Sequence, residues 1–191
     1  MVRTILIGLG WVLLVTNSTW ADSNPMFGGY KNQISVSGGQ SLRVGVKSEK
    51  LFYADITYSQ PTTFFRLPAR RNLELAGLRG DDCNRLICNE DNGYPKTDNL
   101  SQYNLTLLGL SQDVVFLQRG KFYANARLGV YLKDIATNRI SSRFTFGQRL
   151  ALGYGLGRVN LELYVRHFSN GSLTEQNSGQ NFYGLTYAVN F

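Results

Sequence analysis

The stretch RVNLELYVRHF, residues 158–168, alternates between apolar and polar side chains with a period of two. The odd positions from Val159 to Val165 are aliphatic, and the even positions are largely charged or polar. Successive side chains of a β-strand point to opposite faces, so this strand would have one aliphatic face and one polar face. The same alternation recurs in residues 121–133, 143–152 and 183–191. The pattern therefore predicts an all-β protein.

The length of these segments favours a membrane barrel over a soluble sandwich. They run for about ten to twelve residues, which suits a tilted membrane strand. The chain also contains 11 Tyr and 11 Phe, many at the ends of the segments, as an aromatic girdle requires. No helix-length apolar segment follows the first 21 residues, which excludes a helical membrane protein. The predicted fold is an eight-stranded antiparallel transmembrane β-barrel of the outer-membrane type.

The connections between the eight predicted strands alternate between short and long. The strands are expected near residues 29–38, 50–59, 63–78, 103–116, 121–133, 141–153, 158–169 and 181–191. The short connections are expected near Pro61 and at residues 118–121 and 154–157. Outer-membrane barrels have short periplasmic turns and long external loops, so both termini are expected in the periplasm.

The N-terminal residues resemble a secretory signal peptide. Arg3 precedes an apolar core, Ile5–Val15, and Ala21 suits signal peptidase. The core is too short to span a bilayer as a helix, although an uncleaved anchor is the alternative. Residues 1–21 are therefore predicted to be removed, and residues 22–191 to form one barrel domain.

Charge and the C-terminal residue indicate partners. The chain has 20 basic and 13 acidic residues, and the predicted signal peptide contains only one of them, Arg3. A basic balance fits lipid phosphates or nucleic acid, and export argues against nucleic acid. The chain ends on Phe191, in register with the apolar face, which resembles the C-terminal signal read by the outer-membrane assembly machinery.

Two cysteines, Cys83 and Cys88, lie in a polar stretch between the third and fourth predicted strands. In an exported protein the expectation is a disulfide that closes a small loop. No metal site is predicted, because no further Cys or His lies near them. A solvated loop is favoured over a calcium site for the neighbouring carboxylates Asp81, Asp82, Glu90 and Asp91.

The single histidine, His167, continues the aliphatic odd series together with Ser169, so both are expected to face lipid at the external end of the seventh strand. Asn181 begins the last strand on the same outward face. A register in which partner numbers sum to about 350 would put Asn181 beside Ser169 and diagonal to His167. These residues either mark the headgroup zone or form a site, since imidazole is the commonest base that activates a serine hydroxyl.

The stretch HFSNGSLTEQNSGQN, residues 167–181, resembles the active-site segment of the outer-membrane lipid A 3-O-deacylases, the PagL family. The resemblance implies a serine esterase, without metal or organic cofactor, that removes an ester-linked acyl chain from lipid A of lipopolysaccharide in the outer leaflet. It implies Ser169 as nucleophile and His167 as general base, with Asn170 shaping the site. The side chain of Asn177 and the backbone N–H near Ser172 would stabilise the oxyanion.

Two positions depart from the family pattern. Gly171-Ser172 stands where the family usually has Ala-Gly, and the acid of the triad falls at Asn181. Either Asn181 orients the imidazole as a neutral acceptor, or the protein is a weak or inactive relative; Glu175 is the nearest alternative carboxylate. The competing function is a non-catalytic small barrel, structural or adhesive. The acyl position, the chain-length preference and the existence of a homodimer are left open.

Overall fold

The computed structural model describes residues 26–42, 50–81, 102–136, 140, 142–174 and 179–191. Eight antiparallel strands close into a barrel in which each strand pairs with its neighbours in the sequence and β1 pairs with β8. The strands are β1 (Gln33–Ser41), β2 (Lys50–Phe64), β3 (Leu67–Asp81), β4 (Gln102–Arg119), β5 (Phe122–Lys133), β6 (Phe144–Leu156), β7 (Val159–Ser169) and β8 (Gln180–Asn190). The predicted fold class is confirmed. Within the described residues, no helix is long and apolar enough to cross a membrane.

The barrel has two different ends. Three two-residue turns, at residues 65–66, 120–121 and 157–158, lie at the same end as the start of β1 and the end of β8. We call this the turn end. The four longer connections lie at the opposite end, which we call the loop end. The predicted alternation of short and long connections is therefore confirmed.

Along the strands, side chains point alternately to an apolar outer surface and to a polar interior. In β7 the odd residues Leu161, Leu163 and Val165 are exposed, whereas Asn160 and Glu162 are buried. Such an inverted distribution is the one expected of a barrel surrounded by hydrocarbon.

The interior contains a network of ion pairs. Arg70 bonds Asp113 and Glu162, the latter at 2.9 Å, and Arg127 reaches both Asp113, at 2.8 Å, and Glu74, at 3.0 Å. Four arginines and four carboxylates are buried there, namely Asp55, Arg70, Glu74, Asp113, Arg127, Arg149, Glu162 and Arg166. Because a buried charge is tolerated only when it is paired and hydrogen-bonded, this balance is what allows the lumen to be packed.

The turn between β2 and β3 differs from the prediction near Pro61. Pro61 lies inside β2 and pairs with Arg70, and the turn falls at Phe65 and Arg66, where φ is 47° and 68°. Two successive positive φ values are typical of the tight turns that suit hairpin twist. The prediction was wrong because β1 does not reach the level of Pro61: its first residue, Gln33, pairs with Ser59. At Pro61, β2 therefore has no neighbour on that side, and the proline costs no ladder hydrogen bond there.

The turn end is closed from inside by the residues before β1. Met26 and Phe27 are fully buried and pack with Val115 and Tyr123. The carbonyl oxygen of Met26 accepts a hydrogen bond from Gln33 Nε2 at 2.9 Å. The first strand therefore begins at Gln33 rather than near residue 29, because the preceding turn folds into the lumen. Phe191 lies beyond the last β7–β8 pair and exchanges backbone hydrogen bonds of 2.9 Å with Asn32.

Candidate active site

The loop ends of β7 and β8 carry His167, Ser169 and Asn181 on the outer surface of the barrel. All three are half-buried and belong to the outward odd series, whereas the adjacent residues Phe168 and Phe182 are buried. The predicted outward direction of these side chains is confirmed. An ionisable side chain on the lipid-facing surface costs free energy unless it has a partner. The contacts of the His167 imidazole are therefore decisive for the site.

The predicted register between β7 and β8 was wrong by two residues. Asn181 lies directly opposite His167, and pairing ends at Phe168 and Gln180, one residue before Ser169. The reason is that a shift of two residues keeps every side chain on its predicted face, so the alternating pattern that predicted the faces does not fix the register. Asn181 is thus nearer to the imidazole than the sequence suggested.

The imidazole of His167 is held by the amide of Asn181. Nδ1 of His167 lies 2.8 Å from Oδ1 of Asn181. An amide oxygen only accepts, so this contact assigns the proton to Nδ1 and leaves Nε2 as the acceptor. This arrangement fixes the tautomer that a general base requires.

Ser169 is the last residue of β7, and its carbonyl oxygen accepts a hydrogen bond from Thr145 Oγ1 at 2.8 Å. The hydrogen bonds between described residues do not include one from Ser169 Oγ to His167. Residues i and i+2 of a strand stand about 6–7 Å apart on one face, and rotamer changes can close that gap. Catalytic contacts are often long without substrate, so the pair retains the geometry of a candidate nucleophile and base.

The turn that follows Ser169 is organised by Asn170. The fully buried Asn170 accepts a hydrogen bond from Ser172 N at 2.9 Å on Oδ1 and donates one to Thr174 through Nδ2. Gly171 and Ser172 both have positive φ, 60° and 62°. The Ser172 N–H itself donates to Asn170, and the oxyanion role of a backbone N–H near Ser172 stays a prediction.

Gly179 and Gln148 are further neighbours of His167, and the sequence reasoning did not single out Gln148. A methyl group on Gly179 would stand 2.6 Å from Cε1 of His167, so the absence of a side chain is what admits the ring. Gln148 lies directly opposite His167 on β6 and points outward. The signal for Gln148 was available, since it interrupts the apolar even series of its strand.

An aromatic cluster supports the site from inside the barrel. The ring of Phe168 lies 5.9 Å from Tyr53 and 5.2 Å from Tyr131, and Phe182 lies 5.6 Å from Tyr53. Phe168 adjoins His167 and Ser169 in the sequence, and Phe182 adjoins Asn181. They fix the backbone from which the three polar side chains project.

Several predicted residues lie outside the described ranges. These are the signal peptide, the predicted disulfide partners, the oxyanion donor and the alternative acid: residues 1–21, Cys83, Cys88, Asn177 and Glu175. In the ranges that are described, no group of three or more His, Cys, Asp or Glu side chains could hold a metal ion.

A closed barrel with an apolar exterior and a packed polar lumen defines a transmembrane barrel of the outer-membrane type, here with a histidine, a serine and an asparagine on its outer surface. Residues 84–190, more than half of the chain, match the profile of the lipid A 3-O-deacylase (PagL) family. The chain belongs to this family.

Known relatives agree with this assignment. The lipid A deacylase PagL of Bordetella bronchiseptica is 36% identical over 75 residues, which is 37% of this chain and 42% of that protein. The solved structure of the outer membrane enzyme PagL has a TM-score of 0.57 at 14% identity and covers 83% of this chain and 99% of that chain. Neisserial surface protein A has a TM-score of 0.53 at 15% identity and covers 84% and 96%. At these identities the two structures establish the shared fold.

Proposed function

We propose that this protein is a lipid A deacylase, a serine esterase that hydrolyses an ester-linked acyl chain of lipopolysaccharide in the outer leaflet of the outer membrane. The observation that carries the proposal is the 2.8 Å contact between His167 Nδ1 and Asn181 Oδ1, on the lipid-facing side and with Ser169 on the same face. A neutral imidazole oriented in this way is the base that a serine nucleophile needs. The family membership supports the substrate class.

The location of the site agrees with this substrate. The loop end faces outside if the short turns are periplasmic, as in barrels of this type. In this orientation His167 lies near the outer leaflet, where lipopolysaccharide resides. The proposal includes export of the chain with a cleaved signal peptide. An acyl chain can reach Ser169 from the membrane without entering the packed lumen.

The reaction would proceed in two steps. Nε2 of His167 takes the proton of Ser169 while Oγ attacks the ester carbonyl, and the imidazolium then protonates the leaving alcohol of the sugar. Water, deprotonated by His167, releases the acyl chain as a fatty acid and regenerates the serine. Asn181 holds Nδ1–H throughout. Asn170 maintains the turn beside the reacting centre, and Asn177 is the proposed side-chain donor to the oxyanion.

A second candidate function is a non-catalytic barrel of the same family. The observation that favours it is the amide at Asn181, which lacks the charge that stabilises an imidazolium. An orienting role for Asn181 is compatible with either candidate, so activity has to be measured.

The test is deacylation of lipopolysaccharide by purified protein folded in detergent, with free fatty acid measured by mass spectrometry. Ser169→Ala and His167→Ala should each abolish release, and the double variant should lose little more, because nucleophile and base act as a unit. Ser142→Ala, at the loop end beside β6, should keep full activity and serves as the matched control. Full activity of Ser169→Ala would exclude the serine-esterase mechanism.

A further inference from the structure

A second polar cluster lies on the lipid-facing surface at the opposite end of the barrel, with Arg71 at its centre. Arg71 belongs to the outward series of β3, between the buried residues Arg70 and Asn72. Its direct cross-strand neighbours are Gln60 on β2 and Gln112 on β4. Both amides belong to the outward series of their own strands, so three polar side chains form a row where the barrel is otherwise apolar.

Arg71 is the fifth of the fifteen residues of β3 counted from the turn end. Its partner Gln60 lies one residue beyond Ser59, which pairs with Gln33, the first residue of β1. Arg71 and Gln60 therefore lie near the turn end of the barrel. If the loop end faces outside, this is the level of the inner-leaflet headgroups.

The guanidinium of Arg71 has unused hydrogen-bonding capacity. Its Nε is buried and has no hydrogen-bond partner within the described part of the chain. The nearby side chains are organised, since Tyr58 OH donates to Asn32 Oδ1 at 2.7 Å and Gln60 Nε2 donates to Tyr58 OH at 3.1 Å. A planar guanidinium flanked by two amides is suited to phosphate oxygens, which accept hydrogen bonds from a fork of N–H groups.

The charge around this end favours an anionic ligand. Five further basic residues are exposed there, on the three turns, at the end of β4 and just before β1: Lys31, Arg66, Arg119, Lys121 and Arg158. The acidic side chains described in this half of the barrel, such as Asp113 and Glu162, are buried in the lumen instead. Basic residues at a membrane surface attract anionic lipid.

We propose that Arg71, with Gln60 and Gln112, binds the phosphodiester group of a phospholipid in the inner leaflet. The acyl chains of this lipid would lie along the apolar exterior, and the basic residues of the turns would retain an anionic headgroup. The proposal depends on the membrane placement of the barrel and not on deacylase activity, so either can fail without the other.

The first measurement uses the native protein in detergent micelles, titrated with dioctanoyl phosphatidylglycerol or with dioctanoylglycerol. Native mass spectrometry counts the lipids bound. The phospholipid should bind in preference to the diacylglycerol, which has the same chains but no phosphate. Equal binding of the two lipids would overturn the proposal.

The second measurement compares two arginines on the same face of β3. Arg71→Gln should weaken phosphatidylglycerol binding about tenfold, because charge-assisted hydrogen bonds to phosphate are the stronger class. Arg79→Gln removes the same charge from the loop end and should leave the affinity unchanged. Arg71→Lys should recover only part of the loss, since an ammonium lacks the planar fork. Equal losses for Arg71→Gln and Arg79→Gln would show attraction to net charge alone and overturn the site.

Discussion

The contact between His167 and Asn181 decides how far this chain can act as its family does. An acid beside a catalytic histidine fixes the tautomer and also stabilises the imidazolium that forms during attack. The amide oxygen of Asn181, at 2.8 Å from Nδ1, does the first of these and lacks the charge for the second. We therefore expect a slow enzyme rather than an inert one.

Replacing the amide by the isosteric carboxylate should restore the missing charge. Asn181→Asp is expected to raise the deacylation rate about tenfold, because a hydrogen bond to a charged group contributes roughly 1.5–3 kcal/mol and a neutral one about 1. Asn181→Ala should lower the rate. Gln148→Glu introduces the same change on the other side of His167 and should have a much smaller effect, because Nδ1 is bonded to Asn181. Equal acceleration by both variants would mean that the rate depends on the electrostatic field of a nearby carboxylate and not on the hydrogen bond to Nδ1.

The space for the imidazole depends on a glycine. Gly179→Ala should reduce activity tenfold or more while the barrel still folds, because the new methyl group would stand 2.6 Å from His167 Cε1. Gly120→Ala is the matched control, since its φ of 60° is close to the 64° of Gly179 and no atom lies within 4 Å of the added carbon. Initial rates and heat-modifiable migration on gels measure the two properties. Undiminished activity of Gly179→Ala would show that the ring does not need this space.

The sequence was sufficient to predict the direction of the site residues and insufficient to predict their pairing. A period of two assigns every odd residue of β7 and β8 to one face, whatever the loop between them does. The register depends on where the ten-residue connection between the two strands returns, and the alternation within either strand does not encode that position. For the same reason Asn181 was expected beside Ser169 and is found beside His167.

The inward residues Phe168 and Phe182 of β7 and β8 pack in an aromatic cluster. Phe182→Ala should destabilise the barrel by about 3–5 kcal/mol, the usual loss for a buried phenylalanine, since Phe182 packs against Tyr53 and Phe168. Leu185→Ala, on the lipid-facing side of the same strand, should have a smaller effect, because lipid can fill the space. Urea unfolding in lipid vesicles measures both. A larger loss of stability for Leu185→Ala would contradict the role of the buried aromatic cluster in stabilising these strands.

Strand ends were harder to predict than strand faces. Proline is a turn signal in most contexts, yet β2 continues through Pro61, because β1 does not extend to that level of the sheet. The first strand was expected to begin near residue 29, but it begins at Gln33, after Met26 and Phe27, which pack inside the barrel. Both departures depend on which neighbours are present, and a single strand's sequence does not contain that information.

The whole molecule has an apolar exterior around a lumen of paired charges. Arg70→Met should destabilise the barrel by about 3–5 kcal/mol, because it leaves the buried Asp113 and Glu162 short of a partner. Arg79→Met, on the outer face of the same strand, should change stability little. The midpoint of urea unfolding in vesicles measures the difference. Equal stability of the two variants would show that the lumen network is dispensable.

The central claim, that the outward Ser169 and His167 deacylate lipopolysaccharide, is tested most directly by the lipid A of living cells. Mass spectrometry should be applied to lipid A from Gram-negative cells that produce this protein, its Ser169→Ala variant or neither. The native protein should yield lipid A lighter by one hydroxyacyl chain, while the variant and the empty cells give the unshortened form. An identical lipid A profile in all three, with the native protein folded in the outer membrane, would contradict the claim and leave a non-catalytic barrel.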